Sequence, residues 1–230
     1  MQQSTLALTI DATHQSLEHR LREATGRVTG QERARDTYAR TDAFLAAVSR
    51  HLAAVDDVLM PLVRRRLPDG HEKRHTYLAA ARDLEQSLAL VKARLYGATY
   101  ASHLSWPRVW RDVQSRLERH NEMESALVTE LLPRLDQEEH GELARRVYQS
   151  EVRGPTRPHP MTPHTGVAGS LARRVWSVAD RFWDNAEGRV IPEPVRPREH
   201  HGDSLMAQYL LGTPHFDDKA DVFEHRHRAR

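Results

Sequence analysis

His120-Asn121-Glu122-Met123-Glu124 is the stretch on which the fold of this chain turns. It lies inside a longer run in which Trp110, Val113, Leu117, His120, Glu124, Leu127 and Leu131 recur every three or four residues. Such spacing marks one face of a helix, and this face is apolar except at His120 and Glu124. Residues four apart on a helix differ by about 40° in direction and ~6 Å in height, so both side chains reach one point. A carboxylate on a core-facing stripe costs several kcal/mol unless a metal, a cation, a proton or water answers it.

Three more stripes of the same kind precede it. Ile10, His14, Leu17 and Leu21 form the first, and Phe44, Val48, His51, Val55, Leu59 and Leu62 the second. Tyr77, Ala81, Leu84, Leu88, Val91 and Leu95 form the third. Breakers fall between them at Gly26 and Gly30, at Pro68-Asp69-Gly70, and at Gly97 with Ser105–Pro107. The spacing predicts helices over about 9–25, 31–67, 71–96 and 107–135, with helix resuming to 152. No stretch sustains strand alternation. Four amphipathic helices with short connections make an all-α, up-down-up-down four-helix bundle spanning residues 1–152.

Beyond Val152 the composition changes. Pro155, Pro158, Pro160 and Pro163 read as a stiff linker over 153–166 that cannot be helical. Residues 167–187 read as an extra amphipathic helix, with Leu171, Val175, Val178, Ala179 and Phe182 on its apolar side. With Leu205–Leu211 this makes a C-terminal helical extension over 167–212, expected to dock on the bundle or on a partner protein. A membrane-surface role is disfavoured by Asp180, Asp184 and Glu187 on the same helix, Trp176 and Trp183 notwithstanding. The charged residues 213–230 read as a disordered tail.

Composition narrows the chemistry. The chain has no cysteine, which removes disulfides, thiolate zinc sites, iron–sulfur clusters and a cysteine nucleophile. Any metal must then be held by His, Asp and Glu, a donor set suited to iron, manganese or zinc. A net charge of +2, with arginines dispersed among acidic residues, gives no nucleic-acid footprint. No apolar run is long enough to span a membrane, and the first residues lack a signal-peptide pattern, so the expected address is the cytoplasm.

The chain carries a weak internal repeat. Thr13-His14-Gln15-Ser16-Leu17-Glu18 aligns with Ala80-Ala81-Arg82-Asp83-Leu84-Glu85, and Leu21 with Leu88. His14 precedes His51 by 37 residues and Ala81 precedes His120 by 39, so each half is a helix pair with a core-facing histidine on its second helix. On these residues, on His120-x-x-x-Glu124, and on Arg50–Pro61 with its proline ten residues after the histidine, the chain resembles the hemerythrin/HHE cation-binding family over about residues 9–135. The resemblance implies a non-haem metal, iron above all, in the bundle core, with dioxygen or another small ligand as its partner. It implies His14, His51, His120 and Glu124 as metal ligands. Two of the family's positions depart from its pattern: Val55 stands where the first His-x-x-x-Glu has its carboxylate, and Ala81 where the third helix has its histidine. Both are core-type residues that fill rather than ligate.

Asp56 is a candidate replacement, since a His-x-x-x-x-Asp spacing occurs in the same family. His71 and His75 are another, although they fall off the Leu84/Leu88/Val91 stripe and read first as a surface pair capping the helix end. His159 and His164 in the proline linker, and His200, His201, His225 and His227 further on, read as linker and tail residues. Two functions from different classes follow. The first is a hemerythrin-like protein with an incomplete site, mononuclear or di-iron, responding to oxygen, iron or nitric oxide. The second is a metal-free bundle acting as a non-enzymatic interaction module through its extension. No nucleophile–base–orienter set or phosphate loop points to a conventional enzyme.

Overall fold

The computed structural model describes residues 4–26, 34–101, 103–158, 175, 178–180, 184 and 191–197. Among them there is no strand, and six α-helices carry the fold: α1 (Thr5–Thr25), α2 (Ala34–Val58), α3 (Met60–Arg66), α4 (Gly70–Leu95), α5 (Trp106–Leu131) and α6 (Gln137–Arg153). The all-α expectation holds. The stripes turn inward as their spacing requires, and Ile10, Leu17, Phe44, Val48, Val55, Leu84, Leu88, Val113, Leu117 and Leu131 share one apolar core.

Two helices end sooner than their periodicity suggests, and proline explains both. Helix was expected to run unbroken to residue 67, but it stops at Val58, turns at Leu59 and restarts at Met60. Pro61 has no N–H to donate to the carbonyl four residues back, and its ring crowds that carbonyl. The break is tidy: Leu59 N donates to Val55 O at 2.9 Å, and Val63 N to Leu59 O at 2.9 Å. Likewise α5 gives way at Leu132–Arg134 to a 3-10 turn around Pro133.

The chain then starts a separate helix instead of extending α5. Asp136 Oδ1 accepts from Glu139 N at 2.8 Å, while Asp136 N donates to Glu139 Oε2 at 3.0 Å, a reciprocal cap that sets the start of α6. Arg66 of α3 grips the same Glu139 with both guanidinium nitrogens. α6 packs against α1 and α2. As a result α2 has neighbours on several sides, meeting α1, α3, α4 and α6. It is buried nearly all round between His51 and Val58, which is why Leu52, Ala54 and Asp56 are buried although they lie off its expected stripe.

Two glycines permit close approaches. Gly70 starts α4 immediately after Asp69, whose φ of 53° lies in the left-handed region. A Cβ on Gly70 would stand 2.2 Å from Val63 O, so a side chain there forces α3 and α4 apart. Gly154 ends α6 where a Cβ would lie 3.3 Å from the Arg50 Cα, so the end of α6 abuts α2 beside His51.

After α6 the described residues correct one expectation. Positions 175, 178–180 and 184 are helical, but Val175 and Val178 are exposed while Asp180 and Asp184 are buried. The acidic face turns inward because the chain just after α6 presents donors to it. Asp180 Oδ2 accepts from Thr156 N at 2.9 Å and Arg157 N at 3.1 Å. Asp184 accepts from the Thr156 hydroxyl and pairs with the Arg157 guanidinium at 3.4 Å. Charge-assisted bonds to backbone N–H groups outweigh burial of two valines. Leu171, Trp176, Phe182 and Trp183, the histidines at 159, 164, 200, 201, 225 and 227, and the expected 205–211 segment and 213–230 tail lie outside the described residues.

The Gly70→Ala substitution is expected to lower stability by roughly 1–3 kcal/mol through this overlap. Gly141→Ala, in α6 where a Cβ meets nothing within 4 Å, is expected to raise it by roughly 0.5–1 kcal/mol. Denaturant midpoints of the two variants test the pair, and equal shifts would contradict the packing described.

Candidate metal centre

Five of the six helices send a polar side chain to one buried point. α1 supplies His14, α2 His51, α4 Tyr77, α5 both His120 and Glu124, and α6 Glu151. Glu124 has no exposed surface and is the hub. Its Oε2 lies 3.2 Å from His51 Nε2, and it accepts the Tyr77 hydroxyl at 3.3 Å. Its Oε1 lies 3.6 Å from His14 Nε2, an ion-pair distance rather than a hydrogen bond. The His120 Nδ1 stands 3.9 Å from Oε2. The His14 and His51 rings meet edge to face with centroids 5.5 Å apart, and the His120 ring lies 4.9 Å from that of Tyr77.

The far nitrogens of His51 and His14 are fastened by protein groups. The second nitrogen of His51, Nδ1, bonds Glu151 Oε1 at 2.8 Å. Ser125 Oγ stands 3.4 Å from His14 Nδ1. Other atoms of the cluster are not. His14 Nε2, Glu124 Oε1 and both His120 nitrogens are buried without a hydrogen-bond partner. Buried polar atoms are normally paired, so four such atoms in one cluster are conspicuous.

The charges follow from burial and proximity. Burial alone would drive His51 toward neutrality, but the charge of Glu124 and hydrogen bonds to Glu124 and Glu151 hold its pKa up to about 10. Burial pushes the Glu124 carboxyl up, yet the His51 charge and the neighbouring imidazoles keep it well below the usual carboxylate range. Burial takes His120 down to about 4 despite Glu124, with the charges of His51 and His14 adding to the effect. Burial and the Glu124 charge push the Tyr77 hydroxyl well above 10, so it remains a donor.

The donor chemistry fits a divalent first-row ion. One donor atom each from His14, His51 and Glu124 can be chosen so that all lie within 4.8 Å of one another. Ligands held ~2.1 Å from an ion stand roughly 3–4 Å apart, and the 3.2 and 3.6 Å separations fall in that range. Two imidazoles and a carboxylate, with a third imidazole alongside, suit iron, manganese or zinc.

The four residues that the resemblance implies are all buried in one place, with His14, His51 and Glu124 as the tightest group and His120 beside it. Asp56 is buried but turns to Arg74 of α4 at 3.7 Å. His71 and His75 are exposed on the first turns of α4. Val55 and Ala81 are buried apolar fill. Two participants were not singled out from the sequence. Tyr77 sits on the third stripe, where its ring alone accounts for burial. Glu151 carries a legible signal, since Leu143, Ala144, Val147 and Glu151 recur at three- and four-residue spacing, the same pattern that marks Glu124. Comparison with protein-family models, with curated proteins and with solved structures finds no match to this chain.

Stability of the chelator-treated protein is expected to peak near pH 6.5. The folded pKa of His51, about 10 against 6.5 unfolded, makes its contribution full below 6.5 and progressively lost as pH rises toward 10. His120, about 4 against 6.5, lowers stability as pH falls from 6.5 to 4, because the unfolded chain then binds the extra proton. Glu124, depressed, loses its contribution as pH falls below 4.5. Urea unfolding at a series of pH values reads this out. A profile that still rises between pH 7 and 10 would show that His51 is not held as a cation.

Proposed function

We propose that this chain is a hemerythrin-type, up-down-up-down four-helix bundle whose core binds one divalent first-row metal ion, iron foremost, through His14, His51 and Glu124, with His120 as a fourth ligand. The bundle reading is supported by the pairs α1·α2, α1·α5, α2·α4 and α4·α5, which close a ring of four. α3 then continues the line of α2 past the Pro61 break, and α6 lies across α1 and α2 as an addition.

The observation that carries the metal reading is a group of buried donor atoms without partners, set beside residues that other protein groups hold in place. Metal-binding histidines commonly donate their far N–H to a carboxylate, which fixes the tautomer and makes the inner nitrogen a better ligand. His51 has that partner in Glu151, and Glu124 is itself held by Tyr77. His14 Nε2 and Glu124 Oε1, which stand 3.6 Å apart, and both His120 nitrogens are left without a hydrogen-bond partner. When bound, such an ion supplies redox chemistry or a coordination position for dioxygen or nitric oxide. The protein groups orient the ligands, keep Glu124 ionised and exclude water from the core.

The second reading, a metal-free interaction module, draws on a different observation. His51 as a cation between Glu124 and Glu151 already satisfies both of its nitrogens. Val55 and Ala81 fill two positions that a two-metal site would need.

Metal titration separates the two. Protein purified without an affinity tag is expected to bind about one equivalent of ferrous or cobaltous ion, and His14→Ala and Glu124→Gln are each expected to weaken binding at least tenfold. Val55→Glu with Ala81→His, each added one turn from an existing ligand or on the matching face of α4, is expected to raise the stoichiometry to about two. A parent protein that binds no ion at any accessible concentration, while fully folded, would replace the metal reading with the interaction module.

A further inference from the structure

Residues 191–197, Ile191-Pro192-Glu193-Pro194-Val195-Arg196-Pro197, lie across the helices directly outside Glu151. Pro192, Pro194 and Val195 are half-buried, while Glu193 and Arg196 are exposed and pair with each other at 3.2 Å, Arg196 also reaching Tyr148 of α6. Arg50, the residue before His51 on α2, donates to the Pro192 carbonyl at 3.0 Å. Beneath the strap is a cavity of about 20 Å3, lined by Ser16 and Leu17 of α1, Ala47 and Arg50 of α2, and Glu151 of α6. That volume is enough for about one water molecule. Glu151 is thus the layer between this cavity and His51, touching the cavity on one side and the imidazole at 2.8 Å on the other.

We propose that the 191–197 strap gates the buried cluster: docked, it seals Glu151 from solvent, and lifted, it opens the path by which water and metal ions reach the His51 edge of the site. Three features make the strap suited to this. It is irregular backbone attached to helices rather than part of one, so it can open without unfolding them. Its three prolines have little backbone freedom to lose on docking, which favours a closed resting state. The Arg50 anchor is adjacent in sequence to His51, so the strap is fastened to α2 directly beside the site. The metal-exchange part of the gate rests on the proposed metal site, whereas the sealing of Glu151 does not.

Carboxyl footprinting of the full chain, with a carbodiimide and an amine, tests the gate in the absence of metal. In the parent, Glu151 and Glu124 are both expected to label slowly. The Pro192→Gly/Pro194→Gly double variant, which loosens only the strap, is expected to speed Glu151 labelling roughly tenfold. Glu124 labelling and the thermal melt should stay unchanged. In the cobalt-loaded protein, transfer of the ion to EDTA should accelerate by a similar factor. Unchanged Glu151 labelling overturns the gate, and so does a parallel rise at Glu124, which signals global opening. Faster Glu151 labelling in a protein that binds no cobalt supports the seal and removes the metal reading. Faster labelling with unchanged cobalt transfer overturns the strap's control of metal exchange.

Discussion

A carboxylate with no exposed surface, Glu124, sits at the centre of this protein, and the arrangement of the helices around it follows from the need to answer its charge. Each of α1, α2, α4 and α6 contributes one group, directly or through His51: His14, His51, Tyr77 and Glu151. Removing one partner of such a buried pair typically costs ~3–5 kcal/mol, because the other charge is left uncompensated. The network therefore constrains the register of the helices as well as their packing. A helix that slipped by one turn would carry its histidine or tyrosine away from Glu124.

The place of α6 follows from the same constraint. His51 has two nitrogens, and only one faces Glu124. The other needs a partner inside a helix surface that would otherwise be apolar. Glu151 supplies it, and the approach of Gly154 to the Arg50 backbone lets α6 come close enough. One imidazolium flanked by two carboxylates carries a net negative charge before any ion is considered, an electrostatic environment that favours a cation. The neutral His120, kept neutral by burial and by the His51 cation, is the kind of group that binds metal without first losing a proton.

Much of this was legible in the residues. The four stripes placed His14, His51, His120 and Glu124 on core faces, and burial bears each of them out. What escaped was tertiary. Periodicity carried helix through Leu59, although Pro61 already stood at the break. The Asp136–Glu139 cap marked a new helix, but its packing against α1 and α2 depends on contacts that no local pattern encodes. Glu151 escaped with it. The C-terminal segment reversed the usual rule, burying Asp180 and Asp184 and exposing Val175 and Val178. Asp180 and Asp184 turn inward to donors at Thr156 and Arg157, more than twenty residues earlier. Hydrophobic patterning predicts which face turns inward only when the surface it meets is apolar.

The central claim is that the inward-facing atoms of His14, His51 and Glu124 hold one ion. Anomalous diffraction from crystals of the cobalt-loaded protein tests it most directly. One strong peak is predicted in the core, within ~2.3 Å of His14 Nε2, His51 Nε2 and a Glu124 oxygen, with the His51 Nδ1 bond to Glu151 intact. Ordered cobalt only at surface histidines such as His71 and His75, with the core network unchanged, would contradict the account and leave Glu124 as the centre of a purely structural ion pair.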